Sequence, residues 1–295
     1  MPRMSGRPFV KMNGCGNDFV VVDALSRPFA PDAEQVRALS DRRTGQGFDQ
    51  LIAIEPSRPE QPTADAFMRV WNADGGAVQT CGNALRCIGW MLMEASGTDS
   101  VVIDTLGGPT VARRAGPDRI TVDMGPPRLD WTQIPLSEEM DTRGIELQIG
   151  PIDAPLIHTP GAVSMGNPHV VFFTDRLDDA FVTGSGSLIE HHPLFPEGVN
   201  VGFAHVLAPD RIRLRVWERG AGLTKACGTG ACAALVAAHR RGLTGRRATV
   251  VVDGGELDID WDDSTGHVLM TGPVEVERTG TLSVYAISGG IPARR

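Results

Sequence analysis

Most of the chain consists of short runs in which apolar and polar residues alternate or β-branched residues follow one another. Such runs predict β-strands, because every second side chain of a strand points to the same face of its sheet. Glycines and prolines separate the runs, which is typical of turns between strands. The pattern predicts strands beginning at Val101, Asp118, His169, Arg211, Ala248 and Gly255.

Two longer segments, residues 82–95 and 228–241, break this pattern. Each is free of proline and rich in helix-forming residues, and a glycine follows it, Gly97 after the first and Gly242 after the second. These features predict helices. Because the segments are apolar almost all round, we expect each helix to be buried inside its own domain. Residues 32–43 predict a shorter amphipathic helix.

The two helical segments belong to an internal repeat. Cys81-Gly82 and Cys227-Gly228 lie 146 positions apart and follow the similar stretches RVWNADGGAVQT and RVWERGAGLTKA. GNDFVV, GFDQ and DMGPP in the first half are echoed by GNPHVV, GVNV and LMTGP in the second, at offsets between 146 and 151. Several motifs repeated at nearly one offset predict a duplicated domain.

The repeat and a proline-rich segment divide the chain. Residues 126–160 carry six prolines among polar residues, so we place the boundary near the start of this segment. Each half has about 130 to 150 residues, which is enough to bury a core of its own. We predict an N-terminal domain over 1–127 that carries Cys81 and a C-terminal domain over 128–270 that carries Cys227.

Composition favours a globular protein and counts against two classes of partner. Hydrophobic residues make up 41% of the chain, yet no apolar run approaches the ~20 residues that cross a bilayer. The first ten residues lack the apolar region of a secretory signal, so we expect a cytoplasmic location. A net charge of −8 and only 5% aromatic residues argue against binding to nucleic acid.

The cysteines favour a reducing compartment. Their number is odd and their spacing is not that of a disulfide framework, so we expect free thiols at Cys15, Cys81, Cys87, Cys227 and Cys232. Cys81 and Cys87 lie six positions apart, and Cys227 and Cys232 lie five apart. At about 100° per residue, the two side chains of each pair would point in different directions around a helix. Without a CxxC motif, no zinc site is predicted.

Cys81 and Cys227 occupy the predicted helix starts, where chemistry is expected. The free amides and the positive end of a helix dipole favour an anion, which lowers a thiol pKa and also binds a carboxylate. If two such thiols face the α-carbon of a bound amino acid from opposite sides of a cleft, one can act as the base that removes its proton. The other can act as the acid that supplies a proton to the opposite face. The amides of Gly82, Asn83, Gly228 and Thr229 are then placed to bind the substrate α-carboxylate and its enediolate form.

A cofactor is not expected. Pyridoxal phosphate needs a Schiff-base lysine, and the only lysines, Lys11 and Lys225, lie in no recognisable pyridoxal site. We therefore predict chemistry without cofactor or metal.

Six ordered motifs resemble those of diaminopimelate epimerase over nearly the whole chain. They are GNDFVVVD, GFDQL, WNADGG with CGN, SMGNPHVV, FPEGVNVGF, and ERGAG with ACGTGACAA. The resemblance implies epimerisation of LL- to meso-2,6-diaminopimelate without pyridoxal phosphate, a late step toward lysine, by a homodimer. It also implies an α+β fold of two pseudo-twofold-related domains, each a mostly antiparallel or mixed sheet wrapped around a central buried helix. Residues 271–295 would supply a final strand, over 271–286, that returns to the first domain, and a tail.

The resemblance also assigns roles to single residues. Cys81 and Cys227 would be the catalytic bases, Asn17 and Gln50 would contact the reacting amine, and Glu218 the distal ammonium. The distal carboxylate would be held by Asn72, Asn167, Asn200 and Arg219. Arg as a carboxylate clamp and Glu as the partner of a cation agree with these roles. The chain departs from the family pattern at Asn13, Cys15, residues 83–85 and Leu223.

Structural roles are the simpler interpretation for several other residues. Cys87 and Cys232 lie within the predicted helices and are expected to be buried packing residues, as is Cys15 in its loop. Asp49 and Asp74 are interpreted first as turn or cap residues. His169 is equally consistent with packing and with a place facing a ligand.

Parts of the sequence are also compatible with three other functions. GTGACA at Gly228 matches a dinucleotide-binding pattern, but ten residues separate it from the strand that ends at Trp217. Proline racemase chemistry also uses two cysteines, but a cyclic imino acid has no distal groups for Glu218 and Arg219. A non-catalytic thiol or metal-binding protein is the alternative from another class.

Overall fold

A computed structural model of the chain describes residues 6–282. Within that range the residues form two compact units, one of residues 6–122 with 273–282 and one of residues 123–272. We refer to them as unit 1 and unit 2. None of the helices described in 6–282 has the length and apolar character that a membrane span requires.

Unit 1 contains both predicted helices of the first half and most of its strands. Its elements are β1 (Arg7–Gly14), β2 (Asn17–Asp23), α1 (Ala33–Ser40), β3 (Gln50–Glu55), β4 (Ala66–Asn72), β5 (Ala77–Val78), α2 (Gly82–Ser96), β6 (Ser100–Asp104), β7 (Thr110–Arg114) and β8 (Arg119–Asp123).

Unit 2 follows along the chain. After a 3-10 turn at Trp131–Gln133 its elements are β9 (Gln148–Ile149), β10 (Ile157–His158), β11 (Gly161–Ser164), β12 (Pro168–Phe173), α3 (Asp179–Glu190), β13 (Asn200–Ala208), β14 (Arg211–Glu218), β15 (Gly222–Thr224), α4 (Gly228–Arg240), β16 (Arg247–Val252), β17 (Gly255–Trp261) and β18 (Val268–Pro273). The last described strand, β19 (Glu275–Leu282), belongs to unit 1.

The two units repeat one order of strand pairings. In unit 1, β1 and β2 are antiparallel, β2 and β3 parallel, β3 and β4 antiparallel, and β4 and β6 parallel. In unit 2 the same four relations join β11 to β12, β12 to β13, β13 to β14, and β14 to β16. The register repeats as well, because Trp71 faces Leu51 in unit 1 and Trp217 faces Val201 in unit 2.

In unit 1 the sheet surrounds α2. The helix packs on β1, β6 and β7, with Leu85, Ile88 and Met93 almost completely buried; each such side chain contributes about 1.5–3 kcal/mol through burial. A Cβ atom at Gly89 would lie 2.6 Å from the Cβ of Ala112 in β7, so the close approach requires glycine. The helix ends at Gly97, whose left-handed φ of 70° terminates it.

A second apolar layer of unit 1 packs α1 against the other face of the sheet. Val36 and Leu39 of this helix join Phe48 and Trp71 in one buried cluster. Asp32 and Gln35 form a capping box at the start of α1. The helix predicted over 32–43 ends at Ser40.

In unit 2, α4 is the central helix. It packs on β11, β12, β13, β14, β16 and β17, and its alanines allow close contact, since a Cβ at Gly161 would lie 3.0 Å from the Cβ of Ala237. The sequence pattern did not predict α3, because Thr, Ser and two glycines give it low helix propensity. Packing explains one of those glycines: a Cβ at Gly186 would lie 2.5 Å from the Cβ of Trp217.

The proline-rich segment 126–160 also packs on unit 2. It supplies apolar residues to the unit's core, namely Ile134, Leu136, Ile145, Leu147 and Ile157. The segment is therefore part of a folded unit despite its composition.

These observations confirm the predicted α+β class, with a mixed sheet around a central helix in each unit. The predicted domain bounds at 127/128 and 270/271 stay a prediction. Residues 283–286 of the predicted final strand, with the rest of the tail, lie outside the described residues, whereas the described part, β19, pairs antiparallel with β1.

Candidate active site

In unit 1 the topology brings the predicted site residues to one edge of the sheet. Asn17 begins β2 and Gln50 begins the parallel strand β3, whereas Asn72 ends the antiparallel strand β4. Gln50 is the direct partner of Asn72 in the register of β3 and β4. Cys81 follows β5 as the N-cap residue of α2.

Cys81 is partly exposed and lies beside Asn17. Its sulfur is 3.9 Å from Asn17 Oδ1, while the Asn17 amide nitrogen donates a 2.8 Å hydrogen bond to Asp49 Oδ2. The carbonyl end of this amide therefore faces the thiol and its NH2 end faces a carboxylate.

Gln50 has a similar arrangement. Its Nε2 atom donates to Asn72 Oδ1 at 3.0 Å, and its Oε1 atom is buried without a hydrogen-bond partner among residues 6–282. An unpartnered buried carbonyl oxygen is costly unless a ligand donates to it. Gln50 Oε1 is thus available to accept from an ammonium group. The Asn72 side chain already uses its oxygen within this pair.

The first turn of α2 offers backbone amides. Among the described residues no side chain caps the helix at Cys81, so the amides of Gly82 and Asn83 are open to an anion. The side chain of Asn83 is turned inward, where its Oδ1 atom accepts from the buried Arg86 at 3.0 Å. Its backbone amide is therefore the group that a carboxylate would meet.

Unit 2 gathers the corresponding residues in the same way. Asn167 immediately precedes β12, Asn200 begins the parallel strand β13, and Glu218 ends β14. Cys227 is the N-cap residue of α4, which likewise has no side-chain cap within the described residues. The amides of Gly228 and Thr229 are thus open as well.

Cys227 differs from Cys81 in its burial, with only 4% of its surface exposed. Burial raises the pKa of the Cys227 thiol well above its ordinary value, and the negative charge of Glu218 raises it further. Hydrogen bonds from Thr229 and from the Gly230 amide act in the opposite direction but do not outweigh burial. The expectation that a helix start lowers the thiol pKa is therefore wrong for Cys227, because desolvation is the larger effect.

Thr229 links Cys227 to a buried histidine. The Thr229 hydroxyl lies 3.5 Å from the sulfur, 3.3 Å from the donating Nδ2 of Asn167 and 3.0 Å from Nε2 of His169. His169 Nε2 also lies 3.1 Å from Asn167 Oδ1. Burial, with the charge of Arg219, lowers the pKa of His169 to about 3, so this histidine is neutral near pH 7.

The Asn200 side chain connects the backbone at Pro168 with the backbone at Arg219. Its Nδ2 atom donates to the carbonyl of Pro168 at 2.8 Å, and its Oδ1 atom accepts from the Arg219 amide at 3.0 Å. The guanidinium of Arg219 donates to the carbonyl of Glu197 at 2.8 Å and is otherwise on the exposed side of the turn. The structure thus shows Asn200 fixing the position of Arg219, an arrangement the sequence did not reveal.

Glu218 lies close to the Cys227 thiol. Its side chain hydrogen-bonds with Cys227 and accepts from the Thr224 hydroxyl at 2.5 Å. The resemblance implies the distal ammonium as the partner of Glu218, and this role stays a prediction. In the structure the carboxylate already acts on Cys227.

Glu190 is a buried carboxylate that sequence reasoning did not single out. It lies at the end of α3, 6% exposed, and accepts from the Trp217 indole and the Gly220 amide, each at 2.7 Å. These bonds hold both sides of the turn that carries Glu218 and Arg219. No sequence motif marks this role, because α3 itself was not predicted.

The remaining thiols have structural surroundings. Cys15, Cys87 and Cys232 are buried, and burial raises the pKa of Cys87 to about 12. Cys15 occupies a left-handed turn with φ of 63°. Residues 6–282 contain no group of three His, Cys, Asp or Glu side chains arranged to hold a metal ion.

A family sequence model described as "Diaminopimelate epimerase" matches residues 9–129 and 161–277. The relatives include the diaminopimelate epimerase of Caulobacter sp. (strain K31), 60% identical over 283 residues, which are 94% of this chain and 97% of the relative. The enzyme of that name from Phenylobacterium zucineum (strain HLK1) is 60% identical over 282 residues, 96% of this chain and 100% of the relative.

Two solved structures share the fold at low sequence identity. A hydroxyproline epimerase from Agrobacterium vitis, with trans-4-hydroxy-L-proline bound, superposes with a TM-score of 0.68 at 16% identity, over 96% of this chain and 94% of that one. A PhzF-family phenazine biosynthesis protein from Bacillus anthracis gives 0.66 at 13% identity, over 95% and 100%. At such identities the likeness concerns the fold alone.

Proposed function

The chain belongs to the diaminopimelate epimerase family, and on that basis we propose that it interconverts LL- and meso-2,6-diaminopimelate with Cys81 and Cys227 as its acid and base. The observation that carries the proposal is repeated in both units. Each has a cysteine at the uncapped N-terminus of its central helix, with an asparagine side chain nearby. Asn17 Oδ1 lies 3.9 Å from the Cys81 sulfur, and Asn167 Nδ2 donates to the Thr229 hydroxyl, which lies 3.5 Å from the Cys227 sulfur.

The backbone amides supply the stabilisation that α-proton removal requires. When the proton leaves, the electron pair of the C–H bond moves into the carboxylate, which becomes an enediolate. The free amides at the starts of α2 and α4 are groups that bind such an oxyanion. Carbonyl oxygens of Asn17 and Gln50 suit the neighbouring ammonium group.

The surroundings of Cys227 favour the acid role at rest. Because burial and Glu218 keep its thiol protonated, Cys227 donates a proton to one face of the α-carbon while Cys81, as thiolate, removes the proton from the other. The turnover ends with the configuration inverted, Cys81 protonated and Cys227 as the thiolate. In the reverse direction Thr229 and the Gly230 amide stabilise the Cys227 thiolate by donating to it.

The wider context of the reaction rests on the family resemblance. We propose that the product serves lysine biosynthesis in the cytoplasm, that the active protein is a homodimer, and that no cofactor takes part. Size-exclusion chromatography with light scattering tests the dimer.

The activity itself is tested by incubating the purified chain with LL-diaminopimelate and, separately, with the meso form, followed by chiral chromatography. We expect both to reach the same mixture. L-Proline and trans-4-hydroxy-L-proline serve as competitors from the alternative chemistry. Inversion of either imino acid with both diaminopimelate forms unchanged would contradict the proposal and favour the proline racemase alternative.

A further inference from the structure

We infer that Asp49 is a positioning residue that fixes the direction of the Asn17 amide, so that the Asn17 carbonyl oxygen faces Cys81 and the reacting ammonium. The ammonium part of this inference rests on the proposed function, whereas the part that concerns Cys81 does not. Neither the sequence pattern nor the family resemblance assigned Asp49 a role beyond that of a turn residue.

The direction follows from the chemistry of the contact. Asp49 Oδ2 accepts from Asn17 Nδ2 at 2.8 Å and from the Asp18 amide at 3.1 Å. A carboxylate only accepts hydrogen bonds, whereas the Asn side chain has a donor end and an acceptor end. Turning the Asn17 amide over would bring two acceptor oxygens together, so Asp49 allows one orientation.

Asp49 is itself held by a charged network. Arg42 donates to Asp49 Oδ1 at 2.7 Å and to both carboxylate oxygens of Asp18 at 2.9 and 3.0 Å. Lys11 forms a 2.9 Å ion pair with Asp18. Burial alone would raise the pKa of Asp18, but the hydrogen bonds from Arg42 and Lys11 outweigh it and hold the pKa well below its usual range. Asp18 therefore stays ionised at neutral pH and remains a partner for Arg42.

The contacts of Asp49 are not those of a turn residue. An Asp that stabilises its own turn accepts from amides two or three positions later, as Asp41 does from Arg43 and Thr44, each at 2.8 Å. The partners of Asp49 lie 31, 32 and 7 positions earlier in the chain. Its side chain thus connects β2 with the segment before β3, at the position where Asn17 is needed.

The orientation determines what Cys81 and a substrate meet. With the amide as observed, Asn17 Oδ1 lies 3.9 Å from the Cys81 sulfur and accepts from a thiol or an ammonium. With the amide reversed, its NH2 group would repel an ammonium and stabilise a thiolate by donating to it. Loss of Asp49 is therefore expected to weaken substrate binding and to increase the reactivity of Cys81.

The test uses three variants of the full chain. Asp49→Leu removes the acceptor, Asp49→Asn keeps an oxygen available to Asn17, and Asp41→Ala is the matched control, because it removes an acidic turn residue of the same segment. Two quantities are measured for each: kcat and KM for diaminopimelate, and the rate at which iodoacetamide alkylates Cys81 near neutral pH, followed by peptide mass spectrometry.

We expect Asp49→Leu to raise KM more than it lowers kcat, with kcat/KM falling about 10-fold, and to speed alkylation of Cys81 by about 3- to 10-fold, as one hydrogen bond to the sulfur predicts. Asp49→Asn should recover most of both effects, and Asp41→Ala should leave both near the wild-type values. Equal effects in the Leu and Asn variants, or unchanged alkylation in Asp49→Leu, would overturn the inference.

Exchanging the two side-chain types between positions 17 and 49 provides a second test. Asn17→Asp alone places two carboxylates in contact and should lower activity, whereas Asn17→Asp with Asp49→Asn restores one donor and one acceptor with the acceptor facing Cys81, and should recover part of the loss. No recovery would count against the orientation argument. If the wild type fails to epimerise diaminopimelate, the proposed function fails, while the alkylation rates still decide the role of Asp49.

Discussion

The absence of a side chain at Gly230 makes room for the sulfur of Cys227. A Cβ atom at position 230 would lie 3.2 Å from that sulfur and 3.0 Å from the Val216 side chain, which is closer than ordinary van der Waals contact. The equivalent residue of α2 is Ala84, so only the unit 2 helix needs a glycine at this point. The sulfur of Cys227 is consequently packed against its own helix, whereas Cys81 is more exposed.

Gly230→Ala is predicted to slow catalysis with little effect on stability. The added methyl group displaces the sulfur by a few tenths of an ångström or more, and misplacement on the scale of 1 Å costs up to about 100-fold in rate. We expect kcat to fall about 10- to 100-fold while the melting temperature changes little, since alanine is the better helix former. Steady-state kinetics and thermal unfolding measure both.

The matched control is Ala84→Gly in α2. This variant should lose about 1 kcal/mol of unfolding free energy and keep a kcat close to that of the wild type. A wild-type kcat in Gly230→Ala would show that the sulfur position is not under this constraint.

Glu218→Gln is predicted to make the Cys227 thiol easier to ionise. Burial, the largest cause of the raised pKa, remains, but the negative charge beside the sulfur is removed. The pKa of Cys227 should therefore fall and yet stay above its ordinary value. Thr229→Val should shift it the other way, because it removes a hydrogen bond that lowers the pKa.

The thiolate absorbance of Cys227 against pH provides the measurement. It is obtained in Cys81→Ser proteins as the difference from the same proteins that also carry Cys227→Ser. Equal midpoints with and without Glu218→Gln would contradict the effect of this carboxylate.

His169 is predicted to make the protein sensitive to acid. Its pKa is about 3 in the folded protein and about 6.5 when unfolded. A lowered pKa contributes stability above the unfolded value, and this contribution is lost as the pH falls from about 6.5 toward 3. By about pH 4.5 the wild type should have lost about 2–3 kcal/mol of unfolding free energy relative to His169→Gln, which does not titrate.

Urea unfolding at several pH values checks this difference. His158→Gln is the control, because His158 is exposed, and its pH dependence should follow that of the wild type. Parallel pH curves for the wild type and His169→Gln would contradict the buried neutral state of His169.

The sequence predicted the helices that carry the cysteines because their signals are local. Gly82 and Gly228 follow the cysteines, and glycines mark the ends, so α2 and α4 begin where expected. α3 has no such signal, since its glycines serve contact with Trp217, a residue 31 positions from Gly186. Contacts of this kind depend on the register of strands that the pattern does not specify.

The same limit applies to the candidate site. The repeat pointed to the two cysteines, and the family resemblance pointed to Asn17, Gln50 and Asn200, but neither predicted the side-chain contacts that orient these residues. Asp49 and Asn200 lie next to strand starts and connect segments far apart in the chain. The pKa of Cys227 could not be predicted from the sequence either. A helix start lowers a thiol pKa whereas burial raises it, and the degree of burial follows only from the fold.

Deuterium incorporation tests the two-cysteine account most directly. LL-diaminopimelate is incubated in heavy water with the wild type, Cys81→Ser or Cys227→Ser, and the epimers are separated early and analysed by mass spectrometry. We predict one deuterium at the inverted carbon of the product and almost none in the remaining substrate, with each Ser variant slower by about 100- to 10,000-fold. Inverted product without deuterium, or a wild-type rate in either variant, would contradict the account.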